Sequence, residues 1–188
     1  MRICGGTSRG RRLIAPRGNS LRITADRVKE SLFNIVRDSD GADVLDLFAG
    51  TGNVGIEAAS RGARSIVFVE KNPRHIDIIK KNLELCGMTE KSDVIQATVH
   101  DGIKACARGN AVFDIIFADP PYGAGAVTDT LRCLAENSVL ALGCIIVIEH
   151  SRKEVFESPK AFHVVDQRHY GDTVLTFLRE KEHEGDNA

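Results

Sequence analysis

Short apolar runs alternate with amphipathic stretches along most of this chain, and no other feature restricts its fold so far. Val44–Phe48, Ser65–Val69, Asp93–Ala97, Val112–Ala118, Cys144–Ile148, Phe162–Val165 and Thr173–Leu178 have the length and composition of strands. Between them lie helical stretches. Val28, Leu32, Ile35 and Val36 share one face of a helix from Asp26 to Val36, with Thr24 placed as its N-cap. Asn53 to Arg61 forms a second helix, ended by Gly62. Asn72-Pro73 opens a third, which buries Ile76, Ile79, Leu83 and Cys86 and stops at Gly87. A weak helix covers Ile103–Ala107 and another covers Val127–Val139. Strands that alternate with helices are wound in parallel, and Cys144–Ile148 is apolar throughout, as a strand covered on both faces must be. The expectation is an α/β fold: a doubly wound, mostly parallel, seven-stranded Rossmann-like sheet. One domain spans 1–188, with a basic arm or hairpin at 1–23, a core at 24–179 and a frayed, charged tail at 180–188.

In such a sheet ligands settle at the carboxyl ends of the strands, so the residues just after each strand carry the chemistry. The first strand runs into Asp46-Leu-Phe-Ala-Gly50-Thr51-Gly52-Asn53-Val-Gly55, a G-x-G-x-x-G turn that lets backbone amides approach a ligand. Structural glycine turns look alike, and a nicotinamide enzyme would use the same pattern with an acid at the end of the second strand, where Glu70 stands. Asp46 tilts the choice. A carboxylate at the mouth of the turn suits a cofactor bearing an ammonium and a sulfonium, as S-adenosylmethionine does, and suits a pyrophosphate badly. After the third strand Asp101 is either an acceptor for an adenine amino group or a surface N-cap.

The fourth strand ends in Asp119-Pro120-Pro121-Tyr122-Gly123. Paired prolines continue neither a strand nor a helix and fix a rigid extended turn. The bland reading is a stiff loop. The chemical reading gives each residue a task on an exocyclic amine, whose lone pair is delocalised into its base. Asp119 accepts one N–H and the Pro120 carbonyl the other, which lets the nitrogen pyramidalise. Tyr122 stacks on a base that is unpaired or flipped out.

The net charge of −1 hides an asymmetry. Residues 1–29 hold eight basic side chains against the single acid Asp26, so +7 sits at the start and −8 on the rest. Arg9, Arg11, Arg12 and Arg17 are the candidate contacts to a phosphate backbone; the alternative is a solvated terminus. The five cysteines show no C-x-x-C pair and the histidines no H-x-H or H-E-x-x-H spacing, so no metal site is expected. No apolar run has the length of a membrane span, and the start lacks the apolar stretch of a secretory signal. The expected location is cytoplasmic.

The order Asp46…Gly-Thr-Gly, Glu70-Lys-Asn, Asp119-Pro-Pro-Tyr resembles the amino-methyltransferases of the seven-stranded methyltransferase fold. Arg2-Ile-Cys-Gly-Gly, Arg9-Gly-Arg, Ala25-Asp-Arg-Val-Lys-Glu-Ser-Leu-Phe-Asn and Asp46-Leu-Phe-Ala-Gly-Thr-Gly are similar to the bacterial family that methylates guanine N2 in 16S ribosomal RNA. Arg22-Ile-Thr departs from that family, whose members more often have Pro after the Arg, and Tyr170-Gly-Asp-Thr matches its end loosely. The resemblance implies S-adenosylmethionine as cofactor, with contacts from Asp46, Gly50, Gly52, Asn53, Glu70 and Asp101. It further implies base contacts from Asp119, Pro120 and Tyr122, and ribosomal RNA or the assembling small subunit as partner. Three rivals remain at this point: adenine-N6 methylation of DNA or RNA, an NAD-dependent oxidoreductase, and a non-catalytic RNA-binding protein.

Overall fold

The computed structural model describes residues 1–16, 26–36, 39–123 and 125–181. Thr24, Arg17, Arg22-Ile-Thr and the tail beyond Lys181 lie outside the described residues. In chain order the elements are α1 (Asp26–Val36), β1 (Asp43–Leu47), α2 (Asn53–Ser60), β2 (Ser65–Glu70), α3 (Pro73–Cys86), a 3-10 turn (Thr89–Lys91) and β3 (Ser92–Gln96). There follow α4 (Val99–Arg108), β4 (Phe113–Ala118), α5 (Ala126–Ala135), β5 (Leu140–Ser151), β6 (Phe162–Tyr170) and β7 (Thr173–Glu180).

Seven strands form one sheet in the order β3-β2-β1-β4-β5-β7-β6. Five run in parallel, and β7 enters antiparallel to both β5 and β6. The chain moves outward from β1 to β3 and then crosses to the other side of β1 to lay down β4. The carboxyl ends of β1 and β4 therefore flank the switch point where this architecture opens a crevice. Alternate strand residues feed two apolar layers. Val44, Ile66 and Phe68 pack with Val54, Ile56, Ile79 and Leu83 beneath α2 and α3. Leu45, Leu47 and Ile116 pack with Ile103, Leu131 and Leu134 beneath α4 and α5.

The start of the chain is a hairpin docked on the first layer. Arg2 and Arg12 pair antiparallel, and Ile3 N–H donates to the Arg11 carbonyl at 3.0 Å. Ile3 and Leu13 are buried with Leu32 and Phe33 of α1. At the far end Gly6 takes φ +75°, and a Cβ there would lie 1.8 Å from the Ser60 carbonyl oxygen, so only glycine permits this approach to the end of α2.

Several elements differ from the sequence expectation. The buried face of α1 holds Val28, Lys29, Leu32 and Phe33, while Ile35 and Val36 are half-buried. The fourth helix begins at Val99 rather than Ile103, because Thr98 caps it through the Asp101 N–H at 3.2 Å. The fifth helix stops at Ala135, where the Asn137 amide donates back to the Cys133 carbonyl at 2.7 Å and Val139 turns into the sheet. β5 runs beyond its apolar segment in both directions, with a register shift opposite Phe113/Ile115 and Gly143 at φ +77°. β6 extends to Tyr170 although its polar half shows no alternation, since it is an edge strand held by β7 alone. Gly171-Asp172 makes the turn between them, with Gly171 at φ +62°.

Candidate active site

A cavity of about 610 Å³ opens at the switch point and is lined by the carboxyl ends of β1, β2, β3 and β4 and the first turn of α5. On one side the glycine turn connects β1 to α2, with Gly50 at φ +57° and Gly52 at φ +74°. Phe48, at the entry to the turn, is held in the left-handed region without being glycine, a strained backbone of the kind that gathers at functional sites. Gly55 is required by packing: a Cβ there would lie 2.3 Å from the Phe68 ring, so α2 lies close on β2. Asp46 lines the cavity while buried, its Oδ2 accepting the Gly55 N–H at 2.9 Å. Burial pushes its acid up to about 8; the Gly55 N–H opposes this, and the charges of Asp119 and Glu70 add to it.

Glu70 closes β2. Its Oε2 accepts the Gly50 N–H and its Oε1 the Asn72 N–H, each at 2.8 Å, which fixes the carboxylate against the turn and leaves lone pairs for a ligand. His75, one turn into α3, also lines the cavity, and its buried Nδ1 has no hydrogen-bond partner within the protein. Asn72 caps that helix through the Arg74 N–H at 3.0 Å, and Pro73 takes its first position.

Asp119, Pro120, Pro121 and Tyr122, directly after β4, line the same cavity. Pro120 is buried, and Tyr122 is 46% exposed at the rim, a ring that a planar ligand would cover. Asp129 and Thr130 reach the same space from α5.

Of the residues singled out from sequence, Asp46, Gly50, Asn53, Glu70, Asp119, Pro120 and Tyr122 meet in this cavity. Gly52 shapes the turn as the N-cap of α2 but is not in the lining. Asp101 is not brought to the cavity: its carboxylate accepts the Thr98 hydroxyl at 2.7 Å at the start of α4, and Thr98, Val99 and His100 take the cavity wall instead. The spacing Thr98-x-x-Asp101 carried that signal. Arg9, Arg11 and Arg12 lie on the exposed hairpin, where Arg11 donates to the Leu85 carbonyl. Lys29 corrects the charge count at the start of the chain. It is fully buried and paired with the buried Glu57 at 3.4 Å, so it is not part of a solvent-facing basic surface. The sequence reading also missed His75, His100 and Asp129 in the wall. Among the described residues no helix is long and apolar enough to cross a membrane, and no cluster of three potential metal ligands occurs.

The family model described as "Conserved hypothetical protein 95" matches residues 1–179. The chain belongs to this family. It is 32% identical to ribosomal RNA small subunit methyltransferase D of Haemophilus influenzae, covering 91% of this chain and 89% of that one. The Escherichia coli K12 protein of the same name is 35% identical over 79% of this chain and 74% of its own. The solved yhhF protein of Escherichia coli superposes with a TM-score of 0.84 at 30% identity, covering 96% and 98% of the two chains. A structure complexed with SAH shares the fold alone, with a TM-score of 0.67 at 18% identity over 84% of this chain and 50% of that one.

The chain is an S-adenosylmethionine-dependent methyltransferase, which removes the oxidoreductase reading. The cavity suits that cofactor on its own chemistry. A buried carboxylate whose acid is raised by burial would gain from a cationic ligand, and the buried His75 Nδ1, 3.6 Å from Glu70 Oε1 and without a hydrogen-bond partner, would find one in a ribose hydroxyl.

Proposed function

We propose that this enzyme transfers a methyl group to the exocyclic N2 amine of a guanine in small-subunit ribosomal RNA. The observation that supports the reading is that Asp119, Pro120, Pro121 and Tyr122 line the same cavity as Asp46 and Glu70, so one turn is available to an amine and another to a methyl donor. The cofactor supplies an electrophilic methyl group on a sulfonium. Asp46 and Glu70 would hold its ammonium and ribose, with Gly50 and Asn53 in the same wall. Asp119 and the Pro120 carbonyl would accept the two amine hydrogens and aim the lone pair at the methyl group, with Tyr122 stacked on the base; the proton that the methylated nitrogen sheds would pass to water. Fixed acceptors and orientation then provide the rate, with no covalent intermediate on the protein.

Asp129 supports guanine over adenine. The ring N1 of guanine carries a hydrogen that a carboxylate accepts, whereas N1 of adenine presents a lone pair that a carboxylate repels. Asp129 is half-exposed in the cavity wall and only loosely paired with Arg132 at 3.5 Å, so it is available to a base. The names of the relatives support ribosomal RNA as the substrate. Arg9, Arg11, Arg12 and Arg17 of the arm are its proposed phosphate contacts.

The test supplies the enzyme and tritiated methyl donor to total RNA and, separately, to DNA from cells lacking the protein, and maps the label. Label on guanine N2 of the small-subunit RNA is expected; label on adenine N6, or in DNA, refutes the reading. Asp119→Ala should keep donor binding and lose most turnover, and Tyr122→Ala should lose stacking worth roughly 1–3 kcal/mol. Near wild-type turnover in the Asp119 variant would overturn the assigned mechanism.

A further inference from the structure

The hairpin at the start of the chain does not merely project from the enzyme; its backbone is fastened to the glycine turn from behind. Asn82 of α3 is fully buried, and its carboxamide reads both backbone groups of Ile14. Oδ1 accepts the Ile14 N–H at 2.7 Å, and Nδ2 donates to the Ile14 carbonyl at 3.1 Å. Because the Ile14 N–H can meet only the amide oxygen, the orientation of the carboxamide is fixed. Its second N–H donates to the Thr51 carbonyl at 3.1 Å, in the middle of the turn. The Thr51 hydroxyl in turn donates to the Met1 sulfur at 3.3 Å. A second tie runs through Lys29, whose ammonium donates to the Arg2 carbonyl at 2.7 Å and to Asn53 Oδ1 at 2.8 Å. Thr51 and Asn53 both line the cavity.

We propose that Asn82 is a positioning residue that couples the hairpin to the donor turn, so that RNA held on the hairpin and methyl donor held in the cavity bind cooperatively. The RNA half of this statement rests on the arm reading given above; the donor half does not. The turn places two glycines at positive φ, a conformation with little intrinsic preference for one geometry. A bound donor fixes the turn and so fixes the Thr51 carbonyl that Asn82 grips. Asn82 then presents a set partner to Ile14 and holds the base of the hairpin. Linkage makes the effect reciprocal: a hairpin held by RNA strengthens donor binding by the same factor.

The experiment measures SAH binding by calorimetry and binding of a short fluorescein-labelled single-stranded RNA by anisotropy, each with and without the other ligand. Wild type, Asn82→Ala and Ile14→Pro are compared. The second variant deletes the Ile14 N–H from an exposed residue and leaves every buried side chain in place, which guards against a core that fails to fold. In wild type, saturating SAH should tighten RNA binding about 5-fold or more, the usual lower range of such couplings. In both variants that factor should fall toward one, and SAH binding alone should weaken. A factor of one in wild type overturns the proposal. So do variants that melt lower yet keep the wild-type factor, since Asn82 would then be only a structural pin. The arm reading is tested separately by the salt slope of RNA binding. If that reading alone is wrong, SAH affinity still falls in Ile14→Pro while the slope ignores the arginines, and the cooperative claim is refuted with it.

Discussion

Binding of the methyl donor should release one proton from Asp46. Burial holds this acid up to about 8, so before the donor binds it is neutral at mildly acidic pH and ionised only above that value. A donor carrying an ammonium and a sulfonium binds the ionised form. Ionising the group two units below its pKa costs roughly 3 kcal/mol, about 100-fold in affinity. Apparent affinity for S-adenosylmethionine should therefore rise roughly 25-fold between about pH 6 and pH 8, where half of the acid is ionised, and fall beyond it as the donor's own amine, with a pKa near 8, loses its charge. Calorimetry in buffers of different ionisation heat reads the released proton directly. Asp46→Asn should bind with little pH dependence and release none. Stability follows the same sign. An acid raised on folding contributes fully below its unfolded value of 3.8, and that contribution is lost as pH rises through about 8. The empty protein should thus melt lower at alkaline pH, and saturation with donor should restore it. Wild-type affinity that is flat between about pH 6 and 8, with no proton released, would refute the reasoning.

Two further outcomes are expected. Glu70→Ala should weaken SAH binding by about 1.5–3 kcal/mol, because hydrogen bonds to a charged acceptor are lost; calorimetry with unchanged affinity would remove Glu70 from the donor site. Replacing Arg9, Arg12 and Arg17 together by Ala, which spares the Arg11 tie to the Leu85 carbonyl, should make the salt slope of RNA binding shallower by up to ~2, at ~0.7 per contact for single strands, and leave SAH affinity alone. An unchanged slope would make the arm a solvated terminus.

The parallel sheet and the two cavity motifs were legible because each is written in contiguous residues. β1 and β4 are apolar runs that end in Asp46-x-x-x-Gly50 and Asp119-Pro-Pro-Tyr122, and parallel register alone brings those ends together, with Leu47 opposite both Val69 and Ala118. What escaped depends on contacts between distant positions. Lys29 reads as one more surface cation until α1 is laid on α2, where Asn53 and Glu57 receive it. Asn82 falls on the buried face of α3 among Ile79 and Leu83, and no local pattern distinguishes it from a misplaced polar residue. His75 shares a helix face with that set, and only the fold shows it in the cavity wall, 3.6 Å from Glu70. Strand ends failed where neighbours set them: β6 carries too few apolar residues to declare its length, and β7 supplies it by pairing.

That outer strand also bears on how the enzyme behaves at high concentration. β6 ends the sheet with its far edge turned to solvent, and exposed Val164 and Val165 would make it an inviting template for a second sheet. The register shift between Val164 and Asp166 falls at Val165 itself and twists the edge there, and Asp166, Arg168 and His169 follow. Arg168 is tied to Asp166 at 2.9 Å, so both charges stay on the strand's exposed side. An incoming strand would have to desolvate that pair and match a distorted ladder. The edge that completes the fold is in this way also its guard against fibrous self-association.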